Sequence, residues 1–351
     1  MTSAARAALL HVALHTHDPL GPCSLRLPLH CMHPDIHASP TRPSFRRLLR
    51  TLRSSIAAPV LWLACLGALP LAAQAVDLKE FLALPKPAPT HAMPYGTAPS
   101  QGIDVYMPAG KGPHPVAILI HGGCWSDFPG AGREQVRALA AEWARRGIAV
   151  WSLGYRRANE AGGGYPNLYL DVATAVDRLR AEAPRLGLDL QRSVLTGHSA
   201  GGHLALWAAS RSKLPAASPL RQASEPLAVR HVVSMAGVGD LSAFAPRMAG
   251  SCGRGILERL TAGGGDPFAD TSPSRLGLPA DVVSVVMVSA AKDQIVPVWS
   301  ARDYRSALPA DAAARVRLRD VADAGHFDLV TPGTPAFEAV FEEVRRAVAS
   351  P

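Results

Sequence analysis

The chain has 351 residues, of which 48% are hydrophobic and 18% charged, and its formal net charge is +8. That hydrophobic fraction excludes wholesale disorder, and five cysteines are too few for a disulfide-built scaffold. The basic charge is uneven. Residues 1–75 hold seven Arg against two Asp, or +5, which leaves 8 − 5 = +3 on residues 76–351 and gives no nucleic-acid footprint.

Residues 1–75 read as a leader with an export signal. Arg46, Arg47, Arg50 and Arg53 form a positive n-region, and an apolar run follows over 56–73. It exits through Ala73-Gln74-Ala75, a small-x-small cleavage site, with Val76 as the expected mature start. An uncleaved membrane anchor is the competing reading, since the run approaches the roughly 18 residues needed to span. Met1 lies farther upstream than such a signal needs. Either translation starts downstream, as at Met32, or the first part is an unstructured extension. His11, His15, His17 and Cys23 then belong to that leader and are not read as a metal cluster.

Residues 76–100 are Pro-rich and read as an extended arm. Residues 101–351 form the folded domain. Strands are expected over 103–107, 116–120, 148–153, 193–195, 229–235, 282–288 and 316–321. Helical spacing is expected over 135–146, 168–180, 203–209, 298–308 and 336–348. Apolar strands alternating with amphipathic helices predict an α/β class, with a mostly parallel sheet covered on both faces. Residues 237–280 break the rhythm with many Gly and Pro, and read as an insertion: a lid over the site or a solvated excursion.

Gly197-His198-Ser199-Ala200-Gly201 is the sharpest signal. It is a G-x-S-x-G between an expected strand and helix, a context that holds Ser199 exposed on a sharp turn. The helix start then offers free N–H groups to a developing negative charge. His121-Gly122-Gly123-Cys124-Trp125 follows the strand over 116–120. Its glycines let the backbone approach a ligand, so the main-chain N–H groups of Gly123, Cys124 and Ala200 are expected to form an oxyanion hole. The Cys124 side chain reads as a packed thiol.

A serine nucleophile needs a base, and the base an orienting carboxylate. His326 follows the last strand and is the expected base. His114, His121, His198, His203 and His231 read as structural. Asp293 stands at the turn after the penultimate strand and is the expected acid, with Asp240 as runner-up and Asp303 placed on a helix.

These residues resemble the α/β-hydrolase superfamily. Within it, the chain is similar to the esterase/lipase branch with an H-G-G-x-W oxyanion motif, shared by carboxylesterases, hormone-sensitive-lipase-like enzymes and arylformamidases. The matching parts are the 121–125 motif, Gly154-Tyr155-Arg156 with Tyr165-Pro166 and Asp171, the G-x-S-x-G, Asp293 and His326. The resemblance implies a twisted central sheet, no metal and hydrolysis through an acyl-enzyme. Cys124 departs from the third Gly common in lipase-like members, and Arg156 with Asp171 reads as a structural ion pair.

No P-loop, dinucleotide fingerprint or C-x-x-C is present, so no cofactor is expected. Cys124 and Cys252 are expected as two free thiols, because an oxyanion-loop cysteine makes a poor disulfide partner. The expected function is an exported (periplasmic or secreted) serine esterase acting on small-molecule esters, with no nucleic-acid partner and with membrane contact only through an uncleaved anchor. The oligomeric state is left open. The rivals are an arylformamidase, an amidase or peptidase using the same residues, and a catalytically silent binding protein.

Overall fold

A computed structural model describes residues 74–261 and 265–350. The leader apart from its last two residues, the N-terminal histidines and part of the Gly-rich stretch 262–264 lie outside the described residues.

Eight strands form one sheet. They are β1 (His91–Pro94), β2 (Gly102–Tyr106), β3 (His114–Ile120), β4 (Ala149–Leu153), β5 (Leu188–His198), β6 (His231–Met235), β7 (Ser284–Ala290) and β8 (Val316–Val321). Their order is β1-β2-β4-β3-β5-β6-β7-β8. The pairs β1/β2 and β2/β4 are antiparallel and all others parallel. Every residue of β4 and β6 is buried, as two-sided coverage requires. The arm is less plain than its prolines suggest. It contains a short helix, α1 (Leu78–Leu82), with a capping box between Asp77 and Glu80, and then edge strand β1.

The covering helices are α2 (Arg137–Arg145), α3 (Asn167–Leu186) and α4 (Ala200–Ala209), followed after β6 by α5 (Leu241–Ser251), α6 (Ile256–Leu260) and α7 (Pro273–Leu276). After β7 come α8 (Trp299–Ala307) and α9 (Ala310–Ala313), and α10 (Pro335–Ala349) ends the fold. Their boundaries follow local chemistry. α3 stops at Gly187 in the left-handed region, φ 63°. α10 starts with Thr334, whose hydroxyl accepts from the Phe337 amide at 3.0 Å, and with Pro335 in the first turn. Trp125, Trp143, Trp151 and Trp207 are fully buried and make the largest contributions to the core. The segment between β6 and β7 holds α5, α6 and α7. Among the described residues, no helix is long and apolar enough to cross a membrane.

Candidate active site

The parallel strands deliver the site residues at their C-terminal ends, where ligands bind in such sheets. β5 ends at His198, the chain turns at Ser199, and α4 begins at Ala200. Ser199 has φ 56° and ψ −120°, a strained state for a residue with a Cβ, costing about 1–3 kcal/mol. Glycines around it make the turn possible through close approach. A Cβ on Gly197 would lie 2.2 Å from the Gly201 carbonyl, and one on Gly201 would lie 2.1 Å from the Ile120 carbonyl of β3. The Ser199 amide donates to Met235 O at 2.8 Å, which anchors the turn to β6.

β7 leads to Asp293 and β8 to His326. His326 Nδ1 lies 2.5 Å from Asp293 Oδ2. The other Asp293 oxygen accepts the Ile295 and Val296 amides at 2.7 and 2.8 Å, so the carboxylate is fixed on both sides. This pairing sets Nδ1 as the protonated nitrogen and leaves Nε2 as the proton acceptor. Asp240, the alternative acid, is instead the N-cap of α5, accepting the Ser242 and Ala243 amides at 2.9 and 3.0 Å. Asp303 lies exposed on α8.

Ser199 and His326 line one cavity of about 280 Å³ together with Gly123, Cys124, Cys252, Gln135, Phe128, Ile295 and Phe327. Gly122 packs on the serine turn: a Cβ there would meet Ser199 Cβ at 3.2 Å. The next three residues all have left-handed φ: Gly123 at 103°, Cys124 at 53° and Trp125 at 52°. Among the described residues, the Gly123 and Cys124 amides donate to no carbonyl. The Ala200 amide, first in α4, has no intrahelical acceptor. Three such donors beside a serine hydroxyl and an imidazole can stabilise an oxyanion while a proton moves between serine and histidine.

Cys124 and Cys252 are bonded to each other, with Cα atoms 5.2 Å apart, which corrects the expectation of free thiols. The reason is conformational. Left-handed φ at Cys124 separates the jobs of its backbone and side chain. The amide stays unpaired at the loop while Sγ reaches the end of α5, where Cys252 is the C-cap. The end of α5, whose Ser251 and Cys252 line the cavity, is thereby tied to the 121–125 loop.

The other histidines hold structure. Burial keeps His198 well below its ordinary pKa and lowers His203 to about 4 and His121 to about 3. His203 Nδ1 accepts from Trp125 Nε1 at 3.1 Å, and its Nε2 donates to Thr271 O at 2.9 Å. His121 stacks on Tyr155 with ring centroids 4.4 Å apart. His198 Nε2 donates to the main-chain carbonyl of His326 at 3.0 Å, so the residue before the serine also steadies the histidine loop. Arg156 and Asp171 form a two-pronged ion pair at 2.8 and 2.7 Å.

Two contributors carry no motif. Gln135, 5% exposed, donates from Nε2 to Gly132 O at 3.0 Å and to Gly122 O at 3.4 Å, holding the loop from behind. Leu78 of α1 lines the cavity, and Phe81 stacks on Phe327 at 5.2 Å. The capping pair Asp77 and Glu80 is the one signal in the sequence that could place a helix there. Among the described residues, no cluster of three or more His, Cys, Asp or Glu is arranged to hold a metal.

Residues 103–308 match the family described as BD-FAE. Esterase LipC of Mycobacterium tuberculosis is 30% identical over 249 residues, which is 67% of this chain and 59% of LipC. The chain therefore spans about three fifths of that relative's length. Kynurenine formamidase of Salmo salar is 25% identical over 251 residues, covering 68% of this chain and 74% of the relative. A truncated carbohydrate esterase from gut microbiota superposes with a TM-score of 0.60 at 20% identity, covering 75% of this chain and 98% of that one; it shares the α/β-hydrolase fold.

Proposed function

The chain belongs to the BD-FAE family, and from this membership and the site geometry we propose that it is an exported serine hydrolase that cleaves carboxylic esters through an acyl-enzyme. The observation that carries the proposal is the convergence of Ser199, the Asp293–His326 pair and unpaired loop amides on one cavity. Ser199 Oγ attacks the acyl carbon while His326 Nε2 takes its proton. Asp293 holds the imidazole and balances its positive charge. The Gly123, Cys124 and Ala200 amides bind the oxyanion. His326 then protonates the leaving alcohol, and a water activated by the same nitrogen releases the acid.

A cavity of about 280 Å³, lined by the cystine, Phe128 and Phe327, suits a short acyl chain. Export is supported by the Arg-rich, apolar, Ala-Gln-Ala order of the leader and by the cystine, which persists in oxidising compartments. Cleavage after Ala75 makes Val76 the first mature residue. The similarity to kynurenine formamidase favours a second reading, hydrolysis of an N-formyl aryl amide by the same residues.

Nitrophenyl esters of rising chain length, together with N-formylkynurenine, separate the two. Turnover of the acetyl-to-butyryl esters, with none by Ser199→Ala and with fluorophosphonate labelling at Ser199, is the expected result. Activity retained by Ser199→Ala overturns the mechanism. Preference for the formamide replaces the esterase reading.

A further inference from the structure

The start of the arm touches the loop that carries His326. The Val76 main-chain nitrogen donates to Asp328 Oδ1 at 3.2 Å. The second oxygen of the same carboxylate accepts the Gly325 amide at 2.6 Å, and Gly325 immediately precedes His326. The Asp328 carbonyl accepts the Thr334 hydroxyl at 2.6 Å, which ties the loop to the start of α10. Asp328 is only 7% exposed. Among the described residues, no Lys, Arg or His reaches it within ion-pair distance. A buried carboxylate with amide donors and no cation is an expensive arrangement, because its charge is left unbalanced.

The missing cation is supplied if Val76 becomes a chain end. Val76 directly follows Ala73-Gln74-Ala75. Signal-peptidase hydrolysis of the Ala75–Val76 amide adds one water, leaving a carboxylate on Ala75 and an ammonium on Val76. The nitrogen already placed 3.2 Å from Asp328 then carries a full positive charge and three donors. After cleavage its position is held from the C-terminal side. Asp77 caps α1, and Phe81 of α1 is buried against Phe327. Ala75 leans on the histidine loop: a Cβ on Gly325 would lie 2.7 Å from Ala75 Cβ, and cleavage removes that contact.

We propose that the α-ammonium of mature Val76 pairs with Asp328 and that this pair positions the His326 loop, so that leader removal completes the active site. The inference rests on the reading that export ends with cleavage after Ala75. Val76 and Asp328 are positioning groups; neither touches the ester.

The test uses the full-length chain, exported and purified. N-terminal sequencing reads the cleavage point, with Val76 expected. In a second chain a glycine is inserted between Ala75 and Val76. Cleavage after Ala75 still occurs, but the ammonium moves one residue away, by about 3.8 Å, and Val76 keeps only an amide N–H. The third chain carries Asp328→Asn, and the fourth combines the two changes. On nitrophenyl acetate, each single change is expected to lower kcat about tenfold, as loss of a charge-assisted bond implies. KM stays near the starting value, and the combined chain is no slower than either single one.

Acetylating the α-amino group of the purified mature enzyme removes the charge after folding is complete, and the same loss of kcat is expected. Undiminished kcat in the glycine chain and after acetylation overturns the proposal while leaving the cleavage reading intact. A mature start other than Val76 overturns both, and it is seen in the sequencing before any rate is measured.

Discussion

Breaking the cystine is the sharpest test of how the site is held. Cys124 and Cys252 are 128 residues apart in sequence. Closing a loop of that length removes denatured-state entropy worth about 5 kcal/mol in the chain-entropy account. For a domain of this size, about 2 °C of melting temperature accompanies each kcal/mol, so Cys252→Ser is expected to lower Tm by about 10 °C. The effect on catalysis has a separate origin. Cys124 and Trp125 sit in left-handed conformations that each cost about 1–3 kcal/mol and persist only while neighbours impose them. The restraints are the cystine, the Trp125–His203 bond at 3.1 Å and the Ala158 amide on Trp125 O at 2.6 Å. Removing an oxyanion donor outright costs about 10²–10³ in kcat. Loosening one restraint of three should cost about tenfold, within that bound. Thermal melts with and without reductant, beside kcat on a short nitrophenyl ester, give both numbers. The double variant Cys124→Ser/Cys252→Ser removes any stray thiol chemistry. Unchanged Tm and unchanged kcat in both variants would refute the reasoning.

Asp293→Asn should lower kcat by about 10⁴, because the amide cannot hold Nδ1–H and balance the imidazolium; steady-state kinetics on the folded variant checks this. Gly201→Ala should destabilise by at least about 2 kcal/mol, since its Cβ would meet two main-chain carbonyls, Ile120 O at 2.1 Å and His121 O at 2.5 Å. Soluble yield and urea midpoint report it, and a wild-type midpoint would contradict the packing described. Acid should weaken the fold in a defined window. Burial lowers His203 to about 4, whereas an unfolded histidine titrates near 6.5. Below about 6.5 the unfolded chain therefore binds the extra proton, and stability falls as pH drops toward 4. His203 alone contributes about 3 kcal/mol to that loss, and His121, lowered to about 3, adds in the same direction. Urea unfolding at pH 7.5 and pH 4.5 should show the difference, and equal stabilities would argue against neutral buried imidazoles.

The parts of the fold that are legible from sequence are those where burial is two-sided. β3, β4, β6 and β7 are runs of apolar residues, and a buried parallel strand has no other appearance. β5 is longer than its apolar portion, because Asp189, Gln191 and Arg192 belong to its half-exposed first part. β3 and β5 also slip register between Pro115 and Val116, which no pattern announces. α3 runs past the expected end near Arg180, through Pro184, and stops only at the left-handed Gly187. In the arm, prolines mask α1 and β1, although an edge strand accepts Pro94. At the site, Ser199, Asp293 and His326 can be named because each follows a recognisable strand. Gln135 and the cystine cannot be, since each depends on a tertiary approach. The Cys124 side chain in particular is turned by a φ that its residue type does not advertise.

The contact between Phe81 and Phe327 joins segments from opposite ends of the folded domain, as does the bond from Val76 to Asp328 across 252 positions. A chain made from its N-terminus therefore holds α1 and the serine turn long before the histidine loop exists. Until the segment after β8 is synthesised, Phe81 lacks its partner and the cavity lacks one wall. Nascent and C-terminally truncated chains should consequently be inert however well their central strands have paired. The cavity and its histidine loop are thus assembled only once the segment carrying Phe327 and Asp328 has been made.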